Sequence, residues 1–404
     1  RVVYFSNTHK RVREVPLAVN RKTYDYMDVI NAEQQPNGIL ITLVLSKMIT
    51  NGRPANADIY DPQLPVMDHT MALYYLPADS TSVLKNTIDI PRDVYPLYAN
   101  YTYNPFASTL NVTMLSYREG FKRNGLEVLP TAFTDNIFLH VDEQNMGIRY
   151  KWLHDKMATD FIKQSNTIGK KYEGLPVKTF TNSNGLTTNV SVAVSRYYYN
   201  LYGPSYITAR DISRAIDSRF RYTGEVSNSR SDVFETYLGN IGITQLDDDG
   251  NELWGAVLPC VQYFMSHNHF YYTAELAKKW QHQKLFDDMP AQVYNRQFLS
   301  FNAYNTGKDL YVIYNDYNKN FKNSIQSPGD TIFSFDHALA FYYKVDRKKE
   351  VTKHYLYGTP GKNEFKCSFI EGADFDEQRK VYASLVQYTR NDNITLRMAW
   401  AQLD

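Results

Sequence analysis

The chain has 404 residues, 43% hydrophobic and 22% charged, ordinary proportions for a folded protein with room for two or three domains or one large ring of sheets. Its 44 basic and 43 acidic side chains leave a formal charge of +1, which argues against nucleic acid as a partner, because phosphate binding asks for a basic excess or stripe. Unusual are 34 Tyr and 21 Phe, residues that suit strands and half-exposed recognition faces.

Strand signals dominate from the start. Gly38–Ser46, GILITLVLS, is a short apolar run bounded by Pro36-Asn37-Gly38 and reads as a buried strand. A bilayer-spanning helix needs roughly 20 apolar residues, so this run is too short to be one. Further on, DHTMALYY from Asp68 and DHALAFYY from Asp336 match at five of eight positions. In the second copy Leu339, Phe341, Tyr343 and Val345 alternate with Ala338, Ala340, Tyr342 and Lys344, a period of two that sets one apolar row against a core.

Related units recur as strand, polar turn, strand, with an aromatic on the return. Thr134–Asp142 leads through Asn145 and Gly147 to Trp152. Gly239–Asp247 leads through Gly250-Asn251 to Trp254, and Ala383–Tyr388 through Asn391 to Trp400. Asp, Asn and Gly accept the positive φ that tight hairpins demand, and the tryptophans are expected to pack across them. The units start near 70, 136, 240, 338 and 383. Two of the gaps are near twice a period of about 50 residues, which suggests decorated copies between them; such periods, with four short strands per unit, mark β-propeller blades. The expected fold is therefore all-β, a propeller of five to seven blades (six the preferred count) forming one domain over 1–404. Helical insertions are expected near 155–225 and 265–292: Thr208–Asp211 is a capping box, and Lys156–Gln164 and Ala274–Phe286 are further helix candidates.

Chemistry-bearing motifs are few. His267 and His269, two apart on a strand, would share a face and form the candidate metal pair, with Glu275 or His282 as a third ligand; a polar insertion is the preferred reading. Asp247-Asp248-Asp249-Gly250-Asn251 is similar to a calcium loop but lacks its later ligands, and reads as a solvated hairpin tip. The Asp68-His69 and Asp336-His337 pairs read as structural, since neighbours on a regular strand point to opposite faces. No nucleophile elbow, zincin or phosphate loop occurs, and no cofactor is implied. Cys260 and Cys367 allow one disulfide or none. Sequons stand at Asn100, Asn111, Asn189 and Asn393. The segment from His267 to Pro290 gathers Phe270, Tyr271, Tyr272, Trp280 and Phe286 with interleaved lysines, the residue types that anchor protein interfaces, and these five are the expected partner-binding residues.

Four motifs carry a resemblance: Leu246–Trp254, Val257–Gln262, Phe298–Phe301 and Ile313–Asn320. Together they make residues 240–320 resemble uncharacterised exported β-propeller-like proteins of Gram-negative bacteria. The resemblance implies an extracytoplasmic place, periplasmic or at the cell surface near the outer membrane, and brings no catalytic residues. The chain opens with Arg1, so removal of a signal or lipid anchor stays open, and with it peripheral membrane attachment. The function expected is a non-catalytic, protein-binding accessory or scaffold subunit of a cell-envelope assembly. The rival is an extracytoplasmic glycan-binding or glycan-processing propeller enzyme with its residues gathered at a central channel.

Overall fold

The computed structural model describes residues 2–5, 8–20, 22–35, 37–49, 66–78, 82–90, 94–104, 109–118, 121–124, 127–130, 136–142, 148–153, 175–182, 184–200, 232–247, 249–266, 296–324, 327 and 329–403. It is all-β, with short 3-10 turns as the helical elements among these residues. Two compact units are present: Arg1–Gly120 with Pro130–Leu153, and Phe121–Leu129 with His154–Asp404.

In the first unit, β1 (Val2–Phe5) and β2 (Arg11–Val15) form a hairpin. Strands β3 (Tyr26–Gln35), β4 (Gly38–Ile49), β5 (Val66–Pro77) and β6 (Leu84–Ile90) follow as an antiparallel meander. As its apolar run requires, β4 is central and buried on both faces. Ile41, Leu43, Leu45, Ala72, Tyr74 and Leu76 pack with Val15, and Tyr74 Oη donates to Ala18 O at 3.0 Å. A Cβ at Gly38 would stand 2.4 Å from Leu76 O, so the backbones can approach there only at glycine. A second sheet takes β7 (Val94–Asn104) and β8 (Thr109–Arg118) together with β11 (Asn136–Asp142) and β12 (Ile148–Leu153).

The second unit begins with β9 (Phe121–Asn124) and β10 (Glu127–Pro130), which join the sheet of β13 (Leu175–Thr181), β14 (Thr187–Asn200), β15 (Asp232–Leu246), β16 (Glu252–Leu258) and β17 (Gln262–Ser266). The long strand β15 changes partner along its length. Val192 faces Ile241 but Val194 faces Leu238, so Ala193 opposes both Gly239 and Asn240 in a bulge. Before that bend β15 pairs with β17 and after it with β16, and Asn240 Oδ1 accepts from Cys260 N at the corner, 3.3 Å. Next come the meander β18 (Phe301–Asn305), β19 (Leu310–Tyr317), β20 (Ala338–Val345) and β21 (Val351–Tyr355). The last sheet holds β22 (Glu364–Ser368), β23 (Asp374–Asp376), β24 (Val381–Arg390) and β25 (Asn393–Gln402).

The repeated DH…YY segments occupy equivalent places: β5 is third in β3-β4-β5-β6 and β20 is third in β18-β19-β20-β21. The other expected units are also third-to-fourth-strand hairpins, β11 to β12 and β15 to β16, while β24 to β25 ends the last sheet. Decorated copies between them are not seen among the described residues; the three helix candidates all lie outside these residues. One expectation needs correction. Strand β20 does not set a single row against a core: it is covered on both faces, with Lys344 alone half-exposed. Its Tyr342 row packs with Tyr382 and Ala401 of the last sheet, while Tyr343 on the other row sends its hydroxyl toward Pro259 O, 3.5 Å.

Three sheets converge on two side-chain amides. Asn315 of β19 donates to Phe298 O (2.9 Å) and Ser368 O (2.8 Å) and accepts from Ser368 N (2.8 Å). Gln262 of β17 donates to Asn315 O (3.1 Å) and accepts from Ser300 N (2.6 Å). Asn315 and Ser368 are both fully buried, so no water replaces a lost partner without rearrangement. Replacing Asn315 by Leu, similar in size, is expected to destabilise the chain by about 3 kcal/mol, because each orphaned buried polar group costs roughly 1–3 kcal/mol. A lower denaturant midpoint with an unchanged slope would report it; an unchanged midpoint would remove the amide from its structural role.

Candidate functional site

The residues singled out for metal binding, His267 and His269, and for partner binding, Phe270, Tyr271, Tyr272, Trp280 and Phe286, lie outside the described residues, as do Glu275 and His282. Among the described residues no group of three or more His, Cys, Asp or Glu is arranged to hold a metal ion. Asp336 and His337 are exposed and lie in the turn before β20, where the Asp carboxylate accepts from Gln387 Nε2 (3.2 Å) and the His ring meets Phe365 edge-on. The pair lies in a turn and not on a regular strand, so the alternation argument does not apply to it. Asp247 likewise serves its own hairpin: its carboxylate accepts from the backbone of Asp249 and Asn251 and from the Asn251 side chain. Cys260 and Cys367 are free and buried, and burial pushes both thiols well up, away from nucleophilic character.

The most unusual electrostatic group was not foreseen from sequence. Lys353 of β21 is buried under rings: its Nζ stands 4.9 Å from the Phe341 centroid, 5.4 Å from Tyr314 and 5.5 Å from Tyr343. The ammonium donates to Asn320 O (2.9 Å) and Asn323 Oδ1 (3.2 Å), and lies 3.5 Å from Asp316 Oδ2. The other carboxylate oxygen accepts from Asn320 Nδ2 (2.6 Å) and Tyr317 N (2.7 Å). Asn320 also exchanges bonds with the backbone of Asp330 across Gly329, whose φ of +83° and missing Cβ make room for it. Burial pushes Asp316 up and Lys353 down, and each is partly restored by the other's charge. Two ammonium donors are thus engaged by the fold, and the third faces Asp316 Oδ2 across an ion pair, an oxygen that has no hydrogen-bond partner among the described residues. The pair ties the 3-10 turn Asn318–Lys322 to the sheet.

The sign of the pH dependence follows. Lys353 carries a folded pKa below its ordinary 10.5, so its contribution is lost as pH falls toward that lowered value. Asp316, raised above 3.8, loses stability as pH rises through its own raised value. Asp316→Asn leaves a buried cation without its counter-charge and is expected to cost on the order of 3–5 kcal/mol at neutral pH, recovering as pH is raised toward 10. Adding Lys353→Met should restore most of that loss. Chemical unfolding of the three proteins across pH checks this, and a double variant as unstable as the single one would sink the account.

The last sheet carries the exposed feature. On β24, Tyr382, Ser384 and Val386 are buried with Ala401 toward the β19–β20 sheet. By register Ala383 faces Trp400, Leu385 faces Met398, Gln387 faces Leu396 and Thr389 faces Ile394 on the opposite side. Along β25 that side points outward, whereas on β24 Thr389 is buried and Gln387 donates to the Asp336 carboxylate. Trp400 is 67% exposed, Leu396 61%, Ile394 and Met398 54%, and Leu385 40%. The expectation that Trp400 packs across its hairpin is therefore wrong: its partner Ala383 is too small to cover it. Trp254 is half-buried, with Lys349 Nζ 5.7 Å over its ring. A row of five large apolar side chains on a regular sheet face has the character of an interaction surface.

No protein-family model and no curated protein matches the chain. Among solved structures it is similar to a GH43 β-1,3-galactosidase with galactodeoxynojirimycin, at 7% identity and TM-score 0.31, covering 100% of this chain and 94% of that one. A Synechocystis apocarotenoid oxygenase variant follows at 10% identity and TM-score 0.30, covering 91% and 62%. Pyrococcus horikoshii acylaminoacyl peptidase gives 9% and 0.26, covering 94% and 53%. Scores this low carry no argument about activity.

Proposed function

We propose that the chain is a non-catalytic, protein-binding β-propeller that serves as an accessory or scaffold subunit of an extracytoplasmic cell-envelope assembly. The observation that carries the binding role is the outward apolar row of β25, Ile394, Leu396, Met398 and Trp400, with Leu385 of β24 beside it. Water-exposed Ile, Leu, Met and Trp on one rigid face gain most when another protein covers them, at roughly 25 cal/mol per Å² of apolar surface removed from water. The successive four-stranded meanders support the propeller reading, because blades are such sheets set side by side. The envelope location rests on the resemblance over residues 240–320 to exported proteins. The buried ion pair and amide bridges support a fold-holding role for the charged and amide groups of the second unit.

Purification of a tagged copy from native envelope membranes, followed by mass spectrometry, is the test. A stoichiometric companion is expected, either another protein or an untagged copy of the chain, and Trp400→Ala should release it at least about tenfold more readily, as loss of a central aromatic anchor does. Recovery of the chain alone as a soluble monomer would defeat the proposal.

A further inference from the structure

Three hairpin tips of the second unit meet at a polar cluster. Asn305, at the end of β18, donates through Nδ2 to Asn182 Oδ1 just beyond β13 (2.7 Å) and accepts from Gly307 N (2.9 Å). These bonds fix the β18–β19 turn, where Gly307 takes φ +75° and Thr306 exchanges hydrogen bonds with Asp309. Asp309 is thereby presented to the turn that leads into β24. From that turn Lys380 Nζ donates to Asp309 Oδ2 (3.1 Å) and to Tyr311 Oη (3.2 Å). Tyr311 Oη in turn donates to the same carboxylate oxygen (3.3 Å). Lys380 is held in place at φ +54°, with its carbonyl accepting from Leu403 N (2.9 Å). Lys344 of β20, opposite Tyr311 in register, brings a second ammonium to that oxygen, 4.0 Å away.

Two cations therefore share one carboxylate, and all three groups are half-buried. Behind them lies an apolar floor: Tyr311 belongs to the core cluster, and Tyr304 stacks on Phe375 beside it at 4.5 Å. Unbalanced charge costs most where one side is shielded from water. Carboxylates of the adjoining turns are committed to their own backbone. Asp376 accepts from the N–H groups of Gln378 and Arg379, and Asp346 accepts from that of Glu350. Among the described residues Lys344 makes no hydrogen bond, and Lys380 keeps one of its three donors free. We infer that Lys344 and Lys380 form a binding site for a small oxyanion, a carboxylate or a phosphate, which bridges the two ammoniums beside Tyr311. Ammoniums that meet on one carboxylate oxygen are close enough for one such anion to take hydrogen bonds from both. The turns that hold Asp309 and Lys380 order the site before any ligand arrives, which lowers the cost of binding. This inference is independent of the exposed β25 row.

The test is isothermal titration of the purified full chain with inorganic phosphate and, separately, with glucuronate. Each is compared with chloride at equal ionic strength, because salt alone screens exposed charges. Saturable binding at one site per chain is expected, and the tighter of the two anions tells a phosphate ligand from a sugar carboxylate. Lys344→Met should weaken that binding at least about tenfold, as loss of a charged hydrogen-bond donor does. Lys348→Met, which removes an exposed lysine of the β20–β21 turn, should change it less than about twofold. Asp309→Asn removes the competing carboxylate and should tighten binding, a sign opposite to that expected of a purely structural ion pair. Lys344 makes no hydrogen bond to the fold, so its Met variant should melt like the parent. Should it melt lower, Lys344→Arg keeps the charge and should bind as the parent does. No saturable heat from either anion overturns the inference. Equal weakening by Lys344→Met and Lys348→Met, looser binding in Asp309→Asn, or a stable Lys344→Arg that binds neither anion overturns it as well.

Discussion

Where sheets of the second unit converge, backbone pairing among the described residues is sparse, limited to contacts such as the Gln262–Ile332 bridge and Ile370 N on Gln297 O, so other polar groups of their strands must be satisfied by side chains. Gln262 and Asn315 do this. Each carboxamide offers donors and an acceptor in one plane, so it can imitate a peptide group and join strands that are too far apart to pair. Asn315 spans from the Phe298 carbonyl to both backbone groups of Ser368, and Gln262 closes the other side on Ser300 and on Asn315's own carbonyl. Ser300 adopts φ +67° at this junction, an uncommon conformation for a non-glycine residue, and its backbone N–H is aimed at Gln262 as a result. These bonds, with the Gln262–Ile332 bridge and the Arg296–Glu371 ion pair, hold the three sheets together.

Lys353 illustrates the same logic with a charge. An ammonium taken out of water gains little from one carboxylate, because desolvation of both ions offsets their attraction. Four features make the burial tolerable here: a carboxylate, two oxygen acceptors and several ring faces whose negative quadrupoles attract the cation. The arrangement demands one geometry, and so it fixes the 3-10 turn after β19 against β21. Stability is not its evident gain; a unique placement of that turn is.

Much of the architecture was legible in the residues. The DH…YY match picked out the third strands β5 and β20, and the Asp247–Asn251 turn declared itself through residues that favour tight hairpins. Gln262, Asn315 and Asn320 even fall inside the motifs that carried the resemblance. What could not be read was their job, because an amide buried between sheets and one exposed in a turn look alike in sequence. Double-sided burial of β20 was also hidden: a tyrosine or alanine row suits a half-buried face as well as a packed one, and only the neighbouring sheets decide. The expected partner-binding cluster beyond Ser266 drew attention by its aromatic density, whereas Trp400 of β25 was read as packing across its own hairpin and not as exposed.

Strand β25 deserves the closer physical reading. Asn393, Thr395 and Arg397 alternate with Ile394, Leu396 and Met398, a pattern whose ordinary solution turns the apolar row to the core. The fold adopts the reverse, because β24 commits Tyr382 and Val386 to the inner face and the register with β25 then fixes every side chain opposite. A one-residue slip would bury the apolar row, yet the two-residue Asn391-Asp392 turn, with φ of +48° and +64°, holds the register where it is. An apolar strand held outward at a sheet edge invites uncontrolled pairing. Arg397 at its centre opposes stacking of like strands edge to edge while leaving the apolar face untouched.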